Sequence, residues 1–113
     1  MSILSELTKL LSKIHIPVET GVFSDTAPQE YVVLTPLSDV LDVYADNQPN
    51  FEIQSARLSI FSQKNYLGLK NKITKALIKS EFTITGRFYV GHEDDTGYHH
   101  YSIDVERNYT WEY

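Results

Sequence analysis

Residues 51–85 constrain the fold of this chain most strongly, because two hydrophobic periodicities alternate within them. Residues 51–61 and the residues from 82 onward carry apolar side chains in extended patterns, which predict two strands. Between them a helix is predicted over residues 65–79, because apolar side chains recur there at spacings of three and four. These side chains are Tyr66, Leu69, Ile73, Ala76 and Leu77. The segment therefore predicts a helix that packs one face against a sheet.

The residues before this segment add a helix and shorter strands. Apolar side chains at helical spacing predict a first helix over residues 3–14, which ends before Pro17. Pro36 either ends the strand that precedes it or places its end at a sheet edge. The predicted strands here are 18–23, 31–35 and, more weakly, 40–45, and the turns predicted along the chain are 24–29, 46–50 and 93–97.

The central strand has an ambiguous alternation. One parity carries Phe51, Ile53 and Phe61, and the other carries Ala56, Leu58 and Ile60. Either both faces of this strand are covered, or a bulge near Ser55 reverses its faces.

The two strands that follow the second helix alternate more clearly. The first is predicted to place on one side Phe82, Ile84, Phe88 and Val90, with Gly86 in the same register. A glycine at such a position is expected where a strand bends. The last strand is predicted to place on one side Tyr101, Ile103 and Val105.

The order of helix, strands, helix and hairpin predicts an α+β fold, in which two helices pack on one face of a mainly antiparallel sheet. With 113 residues, the chain is expected to form a single domain over residues 1–113. No apolar run approaches the ~20 residues of a membrane span, and the first residues lack the pattern of a signal peptide. We therefore expect neither a membrane partner nor export by a signal peptide.

The chain carries little that indicates catalysis. It has no cysteine, which excludes disulfides, thiolate metal sites and cysteine nucleophiles. It has neither a nucleophile-elbow motif nor a phosphate-binding loop. Asp39, Asp42 and Asp46 lie in a turn-flanked stretch without a histidine or lysine to complete an acid–base pair. We therefore expect no enzyme activity and no cofactor.

Histidines near the predicted hairpin offer the strongest metal candidate. His92, Asp94, Asp95, His99 and His100 lie within nine residues. His99 and His100 must point to opposite faces of a strand, so they cannot chelate one ion together. His92 can face one of them across the hairpin, but no further fixed ligand is evident. A polar hairpin tip is therefore favoured over a metal site.

The charge of the chain is unevenly distributed. The net charge of -5 argues against specific nucleic-acid binding, because neutralising phosphates requires a basic surface. Five of the ten basic residues nevertheless lie within 16 positions that contain no acid, and these are Lys64, Lys70, Lys72, Lys75 and Lys79. The second helix is therefore either an ordinary solvated surface or a positive patch that meets an acidic partner.

Aromatic residues concentrate in the last sixteen positions, and they are Tyr98, Tyr101, Tyr109, Trp111 and Tyr113. Such a group either closes a core or forms a contact surface, because tyrosine and tryptophan are enriched at interfaces. Tyr109, Trp111 and Tyr113 are the candidates for partner contact.

Several runs together resemble a known family. They are VYADNQPN at 43–50, SARLSIFSQK at 55–64, KNKITKAL at 70–77, and Tyr98-His99 leading into the closing strand. This pattern, from about residue 28 onward, is similar to the small tail-terminator or head–tail-joining proteins of long-tailed bacteriophages and prophages of Gram-positive bacteria. The similarity lies in overall texture and carries no catalytic signature.

The resemblance implies a virion structural protein, made in the host bacterial cytoplasm and located at the tail end or neck. It implies a ring, expected to be hexameric, that stops growth of the tail tube and joins it to the capsid connector, with DNA able to pass through. The expected partners are further copies of the chain, the tail-tube protein and the head–tail connector protein. The alternative is a soluble protein-binding module outside phages that uses its aromatic C-terminal strand.

A ring needs an interface between two different patches of the same protomer. For this interface the sequence offers the lysines Lys70, Lys72, Lys75 and Lys79 and the acids Asp39, Asp42 and Asp46. We expect the lysine face of one protomer to meet these acids on its neighbour.

Overall fold

The computed structural model describes residues 2–20, 28–43 and 49–110. Two helices and five strands lie within these ranges. They are α1 (Ile3–Lys13), β1 (Val18–Thr20), β2 (Glu30–Val43), β3 (Pro49–Ser62), α2 (Tyr66–Lys79), β4 (Thr83–His92) and β5 (His99–Thr110).

The strands form one sheet in the order β1-β2-β3-β5-β4. β1 pairs with β2 in parallel, and the pairs β2–β3, β3–β5 and β4–β5 are antiparallel. Both helices pack on the same face of this sheet, because their buried residues join one core cluster with residues from a single face of the strands. The predicted α+β class, with two helices on one face of a mainly antiparallel sheet, is confirmed.

Local capping explains where the helices begin. The Ser2 side chain accepts a hydrogen bond from the Ser5 N–H, and the Asn65 side chain accepts one from the Leu67 N–H. Each bond satisfies one N–H that has no partner inside its helix. Both helices begin within one residue of the positions that their hydrophobic spacing predicts.

Each helix is followed by a residue with a positive φ angle. His15 and Glu81 adopt positive φ angles of 60° and 67° just beyond the helix ends. After each of them the chain turns back towards the helix, and the Ile16 N–H donates to the Leu11 carbonyl. The Phe82 N–H donates to the Leu77 carbonyl in the same way, so both connections return directly to the sheet.

The core lies between the two helices and the middle three strands. Three leucine and isoleucine side chains from each helix meet the helix-facing side of the sheet. Those from the helices are Ile3, Leu7, Leu11, Leu69, Ile73 and Leu77, and the fully buried strand residues are Val32, Leu34, Ala56, Leu58, Ile60, Ile103 and Val105. The apolar stripe predicted for α2 is therefore its core face.

The ambiguity in β3 is resolved without a bulge in that strand near Ser55. Its pairing with β5 runs without a shift from Phe51 to Ser62. The extra residue lies on β2, where the register shifts between Pro36 and Ser38. The helix-facing side of β3 is fully buried, whereas Ile53 and its neighbours of the same parity are half-buried on the opposite face.

β2 is longer than the sequence predicts. Residues 31–35 and 40–43 form one strand that continues through Pro36. β1 pairs only with Val32, Val33 and Leu34, so Pro36 lies beyond the part of β2 that β1 covers. A proline is tolerated there, because an edge position requires no outward N–H.

The predicted alternation of β4 is wrong in its second half. Phe82 and Ile84 face the core, but the register shifts between Ile84 and Gly86. This bulge, opposite Val105 and Asp104 of β5, moves Phe88 to the face that the helices do not cover. The bend expected at Gly86 therefore takes the form of a bulge.

The remaining parts of these predictions lie outside the described residues. They are the end of the first predicted strand at 21–23, the loop at 24–27, the end of the weakly predicted strand at 44–45 and the start of the turn at 46–48. Among the helices that the structure describes, none is long and apolar enough to span a membrane.

Replacing Leu58 by alanine tests the position of the core. Leu58 is fully buried at the centre of the sheet, so Leu58→Ala should lower the free energy of unfolding by about 2–5 kcal/mol. Chemical denaturation monitored by circular dichroism measures this change. Leu67→Ala is the matched control, because Leu67 is 45% exposed on α2 and its truncation should cost under about 1 kcal/mol. Equal losses in the two variants would contradict the described core.

Candidate assembly surfaces

One edge of the sheet is formed by β4. Among the described residues, β4 pairs only with β5, so one row of its backbone N–H and C=O groups is unpaired. Three consecutive large side chains on it are exposed: Phe88 at 44%, Tyr89 at 44% and Val90 at 49%. An edge strand that exposes large apolar side chains is a template for pairing with another chain.

A second unpaired edge lies on the opposite side of the sheet. β1 ends opposite Leu34, and no other described strand pairs with residues 35–43 on that side of β2. This stretch exposes Leu37, Val40 and Leu41, at 44%, 54% and 44%. We call residues 35–43 the distal edge of β2. It arises because β2 and β3 each extend over 14 residues, whereas β1 has three.

These two edges hold most of the exposed large apolar side chains in the part of the chain that the structure describes. The others are Leu67 and Ile78 on α2. Sequence reasoning missed both edges, because an exposed strand and a buried one carry similar residues. The uninterrupted run Phe88-Tyr89-Val90 was the available signal, since a half-buried strand normally alternates with polar residues.

The lysines predicted for the interface lie on α2. Lys72, Lys75 and Lys79 are exposed, and Lys70 is partly buried with its Nζ 5.3 Å from the centre of the Tyr101 ring. α2 packs on β3, β4 and β5, and its Thr74 side faces β4, where the Arg87 Nη1 lies 3.4 Å from the Thr74 hydroxyl. Lys72 lies on the other side of α2, in a groove that it shares with Pro17 and Glu30. Arg87 therefore supplies the positive charge of the β4 edge itself.

Only one of the predicted acids can be located fully. Asp39 is exposed on the distal edge of β2, opposite Gln54 of β3. Asp42 pairs through its backbone with Phe51 in the same hairpin, and Asp46 lies outside the described residues. Arg87 of β4 and Asp39 of β2 therefore lie on opposite sides of the sheet.

Tyr109, which the sequence marks for partner contact, packs partly on the core. Its hydroxyl is buried beside the Glu6 carboxylate, and no described group meets hydrogen-bond geometry with it. Burial raises the pKa of Tyr109 well above its ordinary value, and the Glu6 carboxylate raises it further. Trp111 and Tyr113 lie outside the described residues.

The face of the sheet opposite the helices carries a central ion pair. Arg57 of β3 holds Asp104 of β5 in a bidentate contact, with Nε to Oδ1 at 2.8 Å and Nη2 to Oδ2 at 3.1 Å. These hydrogen bonds raise the pKa of Arg57. The guanidinium also lies 5.4 Å from the centre of the Phe88 ring. We call this side of the sheet the open face; among its described residues, Arg57 is the only lysine or arginine.

An aromatic row crosses one end of the open face. Tyr31, Phe61 and His100 stack on three adjacent strands, with ring centres 4.8 Å and 4.3 Å apart. Tyr98 meets Tyr31 and Phe61 edge-on, and its hydroxyl donates to the Pro28 carbonyl at 2.6 Å. Burial, with smaller contributions from Tyr98 and Glu93, raises the pKa of Tyr31. Part of the aromatic group at the C-terminal end thus closes this end of the sheet.

The neighbouring histidines of the hairpin lie on opposite faces of the sheet, as alternation along a strand requires. His99 lies on the helix-facing side with its Nδ1 3.0 Å from the Tyr89 hydroxyl, and its ring centre is 4.6 Å from that of His92. His100 lies on the open face. His92 also contacts Asp94, at 3.2 Å. Within the described ranges, no group of three or more histidines or carboxylates is placed to hold a metal ion.

Comparison with known proteins gives no assignment, because no protein-family model matches the chain and no curated protein matches it significantly.

Acid titration of His100 should destabilise the fold. Its Nε2 is buried without a hydrogen-bond partner among the described residues, and burial lowers its pKa below the ordinary 6.5. Glu93 opposes this shift and Arg57 adds to it. Because the unfolded chain then binds a proton more readily, stability should fall as the pH drops below about 6.5.

The variant His100→Phe keeps an aromatic ring beside Phe61 but cannot titrate. Its free energy of unfolding should fall less than that of the unmodified protein between pH 7.5 and pH 5.5, as measured by urea denaturation. His92→Gln is the control, because it removes a histidine whose side chain is 40% exposed and does not lie on the open face. An acid loss in His100→Phe as large as that of the unmodified protein would refute the prediction.

Proposed function

We propose that this protein is a tail-terminator or head–tail-joining protein of a long-tailed phage or prophage. In this role it assembles as a ring, hexameric by the family resemblance, at the end of the tail tube. The ring stops growth of the tube and joins it to the capsid connector. Its location is the tail end or neck of the virion.

The observation that supports this proposal best is a pair of unlike edges, on opposite sides of one sheet, that lack a partner strand among the described residues. A heterologous contact, in which one patch meets a different patch on the next copy, generates a ring when the rotation between copies closes. A protomer whose two apolar edges differ in sequence and position favours such a contact over a self-complementary one.

Charge supports the same arrangement. Arg87 lies on β4, and Asp39 lies on the distal edge of β2. Opposite charges on two patches that meet guide their association and disfavour contact between like patches. The acidic net charge also favours free passage of DNA through the ring, because the chain supplies few cations to hold phosphates.

Reversal of two lysines tests the charged interface. The double variant Lys72→Glu/Lys75→Glu should weaken assembly, because two positive charges facing acids become negative. Multi-angle light scattering across concentrations at low and moderate salt measures the mass in solution. In the unmodified protein we expect a concentration-dependent species near six protomers that salt weakens.

Lys9→Glu/Lys13→Glu is the matched control, since it makes the same change of charge on the other helix. It should assemble like the unmodified protein. If the α2 variant assembles equally well, the lysine face does not contribute to the interface.

Binding to tail tubes tests the function itself. Tubes polymerised from the tail-tube protein of the same phage or prophage should carry this protein at one end only, seen by electron microscopy with a gold-labelled tag. Adding it during polymerisation should shorten the tubes in proportion to its concentration. Tubes that grow to normal length with unlabelled ends would refute the proposal, and capture of a protein unrelated to phages would favour the binding-module alternative.

A further inference from the structure

The two edges that have no partner strand among residues 2–20, 28–43 and 49–110 match each other in length and chemistry. The β4 edge runs over residues 83–92 and the distal edge of β2 over residues 35–43. Unpaired backbone groups on both edges can be satisfied only by water or by another strand. We propose that the distal edge of β2 in one copy pairs antiparallel with β4 of the next copy, so that the sheet continues from copy to copy. This inference rests on the ring assembly proposed above.

The strand directions within the protomer require the antiparallel sense. β2 and β4 run in opposite directions, because three antiparallel steps connect them through β3 and β5. A ring whose axis lies roughly along the strands preserves these directions from one copy to the next. β4 of one copy and β2 of its neighbour then run antiparallel, which is the pairing that needs no reversal of a protomer.

The register of the sheet restricts how the edges can align. Arg87 of β4 lies level with Leu58 of β3, through Ile103 of β5. Asp39 of β2 lies level with Gln54 of β3, four residues from Leu58. Because side chains alternate between faces, only shifts by an even number of residues keep the helix side of both copies on the same side.

A shift of four residues gives a geometry that closes. Four residues correspond to ~14 Å along the strands. Each copy contributes the four strands β2, β3, β5 and β4, which span ~19 Å across the strands. The resulting strand tilt is about 35°, within the range of closed barrels. A shift of two gives a tilt of only about 20° and sets Tyr89, Gly91 and His92 against the three residues that β1 covers, whereas a shift of four sets only His92 against one of them. A shift of six gives a tilt of about 47°, which lies outside that range.

The shift of four also pairs suitable residues. Arg87 falls opposite Asp39 of the next copy, and both are exposed on the helix side. Opposite charges directly across two strands stabilise their pairing. Leu41, which is exposed in the protomer, falls opposite the half-buried Ile84. Both an apolar pair and a charge pair therefore form across the junction.

The proposed pairing explains why residue 86 is a glycine. Its φ is not positive, and a Cβ added to it would meet nothing within 4 Å inside the protomer. Packing inside the protomer therefore does not require glycine there. In the proposed register Gly86 lies opposite the bulky Val40 of the next copy, where a glycine allows close approach of a second strand.

The sense of the shift determines which face lines the ring. Connections through a helix between parallel strands such as β3 and β4 are right-handed. Seen from the helix side with β3 pointing upward, β4 then lies on the right and β2 on the left. A neighbour on the right must move upward by four residues to bring its Asp39 level with Arg87.

In a barrel whose strands coil in the right-handed sense of twisted sheets, the neighbour on the right is displaced upward when the barrel is seen from outside. The helices therefore lie outside and the open face lines the lumen. The only lysine or arginine among the described residues of that face, Arg57, is already held by Asp104. The lumen thus offers no free lysine or arginine from the described residues to hold a passing polyanion.

Exchange of the two paired charges tests the register. Asp39→Arg and Arg87→Asp should each raise the concentration of half-assembly by about fivefold or more, because like charges then lie opposite each other. The double variant Asp39→Arg/Arg87→Asp restores an opposite pair and should recover assembly. Asp39→Arg/Lys9→Asp carries the same net charge and should not recover it.

Cysteine cross-linking tests the contact directly, and the native chain has no cysteine to interfere. Ser38 and Phe88 lie opposite each other across the junction in the proposed register, both on the open face. Under mild oxidation, Ser38→Cys/Phe88→Cys should give a ladder of covalent oligomers that ends at the ring. The control Ser38→Cys/Ser12→Cys places its second cysteine on the exposed side of α1 and should give none.

The single variants identify the competing contact. A covalent dimer of Phe88→Cys alone would indicate two-fold pairing of β4 with itself and would overturn the inference. The experiment is run on the protein alone and on tail tubes, so that assembly triggered by the tube is also captured. Tube ends that carry the protein without any cross-link would overturn the strand pairing and leave the proposed function intact. Cross-linked rings that do not bind tube ends would support the strand pairing and overturn the proposed function.

Discussion

The structure depends on the burial of a single face of the sheet. Two amphipathic helices supply one apolar layer, and the strands supply the other through residues of one parity. Burying apolar side chains is the main favourable term in the folding of a chain of this size. Because both helices lie on the same side, the other side of the sheet must be stabilised by its own residues.

The open face is adapted to that position. Its centre holds the Arg57–Asp104 pair, whose partners are 47 residues apart, and one end holds the stacked row of Tyr31, Phe61 and His100. Such cross-strand pairs stabilise a sheet without a covering layer. An uncovered face of this kind can remain exposed to solvent, or line a channel, without losing the fold.

The unequal lengths of the strands connect the fold to the proposed assembly. β2 and β3 extend beyond β1, and so leave the distal edge of β2 without a partner among the described strands. Natural sheets usually protect such edges with charges, prolines or bulges. Here Pro36, Asp39 and the bulge at Leu37 lie among exposed apolar residues, a mixture that permits one specific partner and disfavours indiscriminate pairing.

Most of the secondary structure could be predicted from the sequence, because helix and strand periodicities are local properties. The stripe of α2, with Leu69, Ile73 and Leu77, was identified as a core face from spacing alone. The opposite directions of His99 and His100 followed from strand geometry in the same way. The ring, its partners and the phage function remain proposals, since neither sequence comparison nor the fold tests them.

Other features could not be predicted, because they depend on which strands become neighbours. The prediction that Phe88 lies on the same face as Ile84 was wrong, because a bulge forms only against a specific partner strand. The partners of Arg57 and Phe61 lie 30 or more residues away, beyond the reach of any local pattern. The sequence by itself thus determined the elements and the face each helix buries. Only the tertiary structure decided which strands form the edges of the described sheet, because strand order is set by long-range backbone hydrogen bonds rather than by the residues of one strand.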